Sequence, residues 1–282
     1  MPQTLDQTRA SSVSIAEAPP NGRAGRTPQE ERQHQEPILR DAAERLEGAP
    51  PQEILRWAIE TYRPDVHLAC SFGMQSVVII DMLHKLGLLP QVKVFYLDTG
   101  VLFPETHNTR LRLQARYDFE AVRVAPEMSW EEQRKQYEGH LYERGPDGIN
   151  QCCFIRKVAP MRKHLQDVGA RAWITGMRRA HNATRESLPV ALWDRANGLA
   201  KINPLAPMDN NTLWAYIKAN NVPYNALYDQ GYRSIGCNTP VCTRPVRDGE
   251  DERAGRWAGT GKTECGIHVD GNIIESMDSS KL

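Results

Sequence analysis

The chain has 282 residues, long enough for one large domain or two small ones with a substantial core. Lys plus Arg equals Asp plus Glu at 35 each, so bulk charge gives no case for a nucleic-acid partner, and local basic clusters must carry any anion-binding argument. Six cysteines without a regular ladder fit reduced, intracellular chemistry; no apolar run could span a bilayer, and the N-terminus lacks a secretory core, so a cytoplasmic protein without a membrane partner is expected.

Residues 1–36 are rich in Gln, Glu, Pro and Ser and read as a disordered N-terminal tail, because they bury too little surface to offset their ordering entropy. Helical spacing follows from Pro37 to Leu46 and from Pro51 to Tyr62. From Val66 the texture alternates. A strand Val66–Cys70 leads through Ser71-Phe72-Gly73 into a helix ending near Leu86. A strand Val92–Leu97 ends in Asp98-Thr99-Gly100, and a helix Pro104–Tyr117 leads to a strand Ala121–Val124. A helix from Ser129 to about Glu138 precedes a loop, broken by Gly and Pro, that carries Cys152 and Cys153. Another helix reaches Val168, and a strand Ala172–Gly176 is followed by Met177-Arg178-Arg179. A hairpin around Asn197-Gly198 and a helix Thr212–Asn220 complete the pattern.

Such alternation predicts an α/β fold with a doubly wound, mostly parallel sheet over residues 37–245, and residues 246–282 form a mobile C-terminal tail. Ligands bind at the carboxyl ends of strands in this architecture. Three motifs fall there: Ser71-Phe72-Gly73, Asp98-Thr99-Gly100 and Gly176-Met177-Arg178-Arg179. The first is a ready anion site, since unpaired N–H groups point out of a helix start. Arg178, Arg179, Arg185, Arg253 and Arg256 supply planar forks suited to phosphate or sulfate.

Adjacent Cys152 and Cys153 are poorly placed to bridge one another, yet they can converge on one soft metal centre, with Arg156 and Lys157 offsetting its negative charge. Cys237 and Cys242, in a loop bounded by Gly and Pro, complete a set of four thiols that suits structural zinc or an iron–sulfur cluster. The adjacent pair counts against zinc, whose ligand pairs are usually two to four residues apart. Cys265, followed by His268, is a thiol that could approach a site, react and then meet a second protein, if nearby cations give it thiolate character. Cys70 reads as an ordinary buried thiol.

The motifs together resemble the thioredoxin-dependent sulfonucleotide reductases over Val66 to His268. The match includes Ser71-Phe72-Gly73, Leu97-Asp98-Thr99-Gly100, Cys152-Cys153, Thr175-Gly176-Met177-Arg178-Arg179, Ser234-Ile235-Gly236-Cys237, Asp251-Glu252-Arg253-Ala254-Gly255-Arg256-Trp257 and Glu264-Cys265-Gly266-Ile267-His268. This resemblance implies the adenine-nucleotide hydrolase-like (PP-loop) fold. It implies reduction of adenylyl sulfate to sulfite and AMP in sulfate assimilation and cysteine biosynthesis, through a Cys265 S-sulfonate that thioredoxin or glutaredoxin resolves. The four cysteines place the chain in the branch with a 4Fe-4S cluster, held by Cys152, Cys153, Cys237 and Cys242. Family match assigns substrate binding to Ser71, Phe72, Gly73, Asp98, Thr99, Gly100, Lys157, Arg178, Arg179, Arg253, Arg256 and His268. Two departures stand out. The second cysteine pair is Cys-x4-Cys where the family has Cys-x2-Cys, and Phe72 and Gln75 replace a Gly and an Asp of the ATP-cleaving loop, which speaks against ATP cleavage. Competing readings are a reductase preferring the 3′-phosphorylated substrate, an ATP-cleaving adenylating enzyme and a zinc-stapled binding module. Whether the chain forms a homo-oligomer is left open.

Overall fold

Four short apolar segments lie side by side as parallel strands: β1 (Val66–Ala69), β2 (Lys93–Leu97), β3 (Ala121–Val124) and β4 (Ala172–Ile174). In this computed structural model, which describes residues 25–181 and 185–268, the sheet has six strands in the order β3-β2-β1-β4-β6-β5. The hairpin expected near Asn197-Gly198 is β5 (Ala191–Asp194) and β6 (Leu199–Ile202); β6 extends the sheet parallel to β4, and β5 closes it antiparallel. The chain winds outward from β1 to β3 and then crosses to β4, so the order reverses between β1 and β4. A crevice opens at such a switch point because the two outgoing connections leave to opposite sides.

The helices follow from apolar spacing and end chemistry. Helix α2 (Pro51–Tyr62) buries Ile54, Leu55, Ala58 and Ile59 on one face. Helix α3 (Met74–Lys85) is buried over most of its length, from Val77 to Leu83, and carries the chain away from β1. Helices α4 (Pro104–Tyr117), α5 (Trp130–Gln136), α6 (Gly145–Cys153), α7 (Ala159–Asp167) and α8 (Asn210–Ala219) complete the set, with capping by Ser129 at α5 and Asp209 at α8. Among the described residues no helix is long and apolar enough to cross a membrane.

The N-terminal boundary needs correction. Residues 28–36, expected in the tail, belong to helix α1 (Pro28–Arg45), and Pro37 lies inside it. Thr27 and Glu30 form a capping box that starts this helix. Its first turns are docked by polar rather than apolar groups: Gln35 donates to Glu31 Oε1 at 2.9 Å and accepts from the Tyr62 hydroxyl at 3.1 Å. A rule based on apolar content misses that mode of burial. Residues 1–24 of the expected tail lie outside the described residues.

The loop predicted around the cysteine pair is also corrected, because Cys152 and Cys153 close helix α6. The helix then widens into one π turn over Phe154–Val158, where the Ala159 N–H reaches back to the Phe154 carbonyl. Pro160 follows, with no N–H to continue a regular ladder, which accounts for the wider turn there. Residues 246–268, expected as tail, are docked on the domain with Trp257 buried; residues 269–282 lie outside the described residues.

Gly176, at the end of β4, touches the start of α3. A methyl group there would stand 2.6 Å from Gln75 Cβ, a position fixed by the helix backbone. Gly176→Ala should therefore destabilise the protein by about 1–3 kcal/mol, the usual range for overpacking. Urea unfolding should show a lower midpoint with an unchanged slope.

Candidate active site

A pocket of about 210 Å³ opens above the carboxyl ends of β1, β2 and β4. Its floor is the turn Ser71-Phe72-Gly73. Phe72 has a left-handed backbone (φ 54°), a conformation usually left to glycine. Its ring is buried edge-on against Tyr96 at 5.5 Å, which offsets that backbone cost. Gly73 caps α3, and the Met74 N–H donates to the Tyr228 hydroxyl at 2.9 Å. Tyr228 comes from a distant 3₁₀ turn and so seals the helix start from across the pocket.

The opposite wall is cationic. Lys157, Arg185, Arg253 and Arg256 all line the pocket together with Cys265. Arg256 Nε donates to the Cys242 carbonyl at 2.9 Å, and its guanidinium lies over the Trp257 ring at 4.3 Å. Gly236 makes this placement possible, because a methyl group there would stand 2.4 Å from an Arg256 nitrogen. Arg253 donates to the Thr263 carbonyl at 2.8 Å. Burial, with Arg256 and Arg185 nearby, pulls the Arg253 guanidinium down to about 10 against the attraction of Glu264, which leaves it charged at neutral pH. Burial also pulls the Lys157 ammonium down, but attraction to the neighbouring sulfurs of Cys237, Cys265 and Cys153 outweighs that and holds it above the ordinary lysine range.

Cys265 is the thiol in this wall. A hydrogen bond from Cys153 holds it well below the usual thiol range against the opposing effect of burial, helped by Lys157, the Ile267 N–H and Arg256. Cys153 moves the opposite way for the same reason. Downstream, Ile267 packs against the apolar cluster that contains Phe95 and Trp173, and His268 stacks on Trp173 at 5.8 Å. Cys70 is buried and its thiol is pushed up to about 12, so it is inert at neutral pH.

A second, smaller cavity lies next to the first, with Lys157 in the wall of both. Cys152, Cys153, Cys237 and Cys242 line it, under Trp130 and Tyr142. All four are free thiols. The Cys237 loop is tied to the β2 end by the Asn238 N–H donating to the Val101 carbonyl at 2.7 Å and by a bridge between Leu102 and Cys237. Cys242 reaches the cavity despite the longer spacing, because Thr239 turns the loop and accepts from the Cys242 N–H. Among the described residues no group of three or more His, Cys, Asp or Glu side chains is disposed to hold a single metal ion.

Several residues expected in the substrate site stand elsewhere. Arg179 is paired with Glu47 through two bonds of 2.6 and 2.8 Å and donates to the Leu188 carbonyl, away from the pocket wall. Arg178 is buried behind the wall and paired with Glu252 at 3.4 Å. Asp98 does not line the pocket: it accepts from Arg123 at 2.6 Å and from the Gly100 N–H at 3.0 Å, so it shapes the β2 end from behind. Gly100 packs against Arg156, whose Nε donates to the Thr99 carbonyl at 2.5 Å. Ser71, Phe72, Gly73, Thr99, Lys157, Arg253, Arg256 and His268 do line the pocket. Arg233, Tyr228, Trp173 and Glu264 also line it and were not singled out as binding residues. Only Glu264 had a visible signal, as the neighbour of Cys265.

Residues 65–245 match the phosphoadenosine phosphosulfate reductase domain. A phosphoadenosine 5′-phosphosulfate reductase of Gloeobacter violaceus is 42% identical over 82% of this chain and 93% of its own length. An adenosine 5′-phosphosulfate reductase of Bacillus subtilis is 42% identical over 77% of this chain and 88% of its own. Among solved structures, the phosphate complex of the phosphoadenylyl-sulfate reductase of Candida auris superposes with a TM-score of 0.62 at 33% identity, covering 71% of this chain and 94% of that one. The FMN adenylyltransferase of Candida glabrata, at 15% identity and a TM-score of 0.52, covering 76% of this chain and 72% of that one, shares the fold alone.

The Asp98–Arg123 pair generates a pH prediction. Burial raises the Asp98 carboxyl, but Arg123 and the Gly100 N–H outweigh it and hold the group below its ordinary value. Its stabilisation is therefore complete above the unfolded carboxylate range and is lost as pH falls through the depressed folded value. Because Arg123 is largely exposed, Asp98→Asn should cost only about 1 kcal/mol at pH 7. That difference should shrink toward zero on acidification, measured by denaturant unfolding across pH.

Proposed function

We propose that this chain, which belongs to the phosphoadenosine phosphosulfate reductase family, reduces adenylyl sulfate to sulfite and AMP. The observation that carries this reading is one thiol, Cys265, set in a pocket wall with Lys157, Arg253 and Arg256 at the switch point of the sheet. The pocket suits a nucleotide with one anionic end. Apolar side chains such as Phe72 and Met177 face its interior, and the cations gather around Cys265.

The chemistry follows from that layout. The Cys265 thiolate attacks the sulfur of the bound sulfonucleotide, the bond from sulfur to the phosphate oxygen breaks, and AMP leaves with that electron pair. Lys157 and the guanidiniums stabilise the charge that builds on the departing phosphate. The product is a Cys265 S-sulfonate. A thiolate of a thioredoxin-class dithiol then attacks the Cys265 sulfur and sulfite leaves; the second thiol of that dithiol resolves the mixed disulfide and restores Cys265. Two electrons come from the dithiol and two are gained by sulfur, so the step balances.

The four thiols around the second cavity fit an iron–sulfur cluster. They are free and they surround one space. Cys152, Cys153, Cys237 and Cys242 would hold a 4Fe-4S cluster, whose chemical contribution when bound is a fixed negative charge beside Lys157. Cys153 as a ligand has no proton to donate, so the Cys265 thiolate then rests on Lys157, Arg256 and the Ile267 N–H. A second reading, preference for the 3′-phosphorylated substrate, is favoured by the names of the Gloeobacter relative and the Candida auris neighbour. The retained thiol set favours the unphosphorylated one.

Cys265→Ser should release no sulfite from adenylyl sulfate with reduced thioredoxin while still binding AMP; sustained turnover by that variant would remove the mechanism. Protein purified without oxygen should carry roughly four irons and four acid-labile sulfides per chain, and Cys153→Ala should lose its visible absorbance. Zinc without iron would overturn the cluster assignment. The ratio of kcat/KM for the two sulfonucleotides should favour adenylyl sulfate, and a reversed ratio would select the second reading.

A further inference from the structure

Glu264, the residue before Cys265, is the one carboxylate among the described residues lining the pocket, against Lys157, Arg185, Arg233, Arg253 and Arg256. It is held by a planar fork. Arg185 Nε donates to Glu264 Oε1 at 2.8 Å and Arg185 Nη2 donates to Glu264 Oε2 at 2.6 Å. Arg253 Nη2 stands 3.7 Å from the same Oε2. Both partners of the fork are well shielded, with side-chain exposures of 6% for Arg185 and 16% for Glu264. A bidentate, shielded pair of this kind is strong and specific for planar or tetrahedral oxyanions. A carboxylate in the wall of a site for anions opposes the ligand unless it moves.

We propose that Glu264 occupies the place of the substrate's anionic end in the nucleotide-free protein, and that an incoming phosphosulfate displaces it from Arg185 and Arg253. The inference rests on the proposed function for its ligand and adds a residue that sets affinity for it. Adjacent residues are only about 3.8 Å apart at Cα, so displacing Glu264 moves the peptide that carries Cys265. The segment keeps its hold downstream, where Ile267 packs against the apolar cluster that contains Phe95 and Trp173 and the His268 ring stacks on Trp173. Substrate binding and repositioning of the nucleophile are thereby one exchange of anions on the same arginines. Glu264 acts as a positioning residue, through Arg185 and Cys265.

The test compares binding of ADP, a non-reactive analogue with an anion in place of the phosphosulfate, and of adenosine, which lacks the anion. Calorimetry would be run on the full chain as wild type, Glu264→Gln and Glu264→Asp. Removing an internal competitor should tighten ADP binding by about three- to tenfold in Glu264→Gln and leave adenosine unchanged. A merely structural strut would give unchanged or weaker ADP binding, and that outcome overturns the inference. Should Glu264→Gln bind neither ligand, Glu264→Asp decides. Its shorter carboxylate reaches the fork less well, so ADP should still bind more tightly than to wild type, and equal or weaker binding counts against the proposal. Wild-type protein that makes no sulfite from adenylyl sulfate would instead fail the proposed function, a separate result.

Discussion

Lys157 stands in the wall between two cavities, with thiols on both sides, and charge balance around it governs the whole site. Burial alone would favour its neutral form. The sulfur groups of Cys237, Cys265 and Cys153 reverse that preference. The dependence is mutual, because the same ammonium helps to keep Cys265 ionised against its own burial. Remove the positive charge and the Cys265 thiolate loses a counterpart; remove that thiolate and the half-buried lysine loses part of what offsets its desolvation.

The backbone around Lys157 is shaped to deliver this arrangement. A single π turn between Cys153 and Ala159 lets one stretch of chain supply two thiols to the small cavity and Lys157 to both. Arg156 turns inward from the same stretch to brace the β2 end. It donates to the Thr99 carbonyl and, at 2.7 Å, to Gln133, while Gln133 in turn reaches the Cys152 sulfur. The cysteine pair is thus tied to the strand ends by side chains, and the Cys237 loop is tied to them by backbone pairing.

Cations of the pocket come from four separate parts of the chain and meet there because each has its own anchor. Arg256 rests on Trp257 and on backbone carbonyls of the cysteine loops. Arg185 is held by Glu264, whose neighbour is the nucleophile. Arg178 and Arg179, though written next to each other after β4, diverge into separate ion pairs with Glu252 and Glu47. Arg178 and Arg179, so paired away from the pocket, serve the scaffold.

By itself the amino-acid sequence determined the alternation of strands and helices, the three strand-end motifs and the two cysteine pairs. These rest on local rules of apolar period, capping and turn chemistry that act within a few residues. It also pointed to Cys265, through the company of Glu264 and His268. Tertiary structure alone decided which of five arginines face the pocket: Glu252 and Glu47 draw Arg178 and Arg179 out of the wall, whereas Arg185 and Arg253 share a carboxylate, Glu264, that itself lines the pocket. The start of α1 at Pro28 is set locally by the Thr27–Glu30 capping box, but its docking was decided by long-range packing, where the Tyr62 hydroxyl reaches Gln35 through a hydrogen bond that no hydropathy pattern records. The same holds for Tyr228, which reaches the pocket from a segment with no motif, because closeness in space is set by the winding of the chain and not by spacing along it.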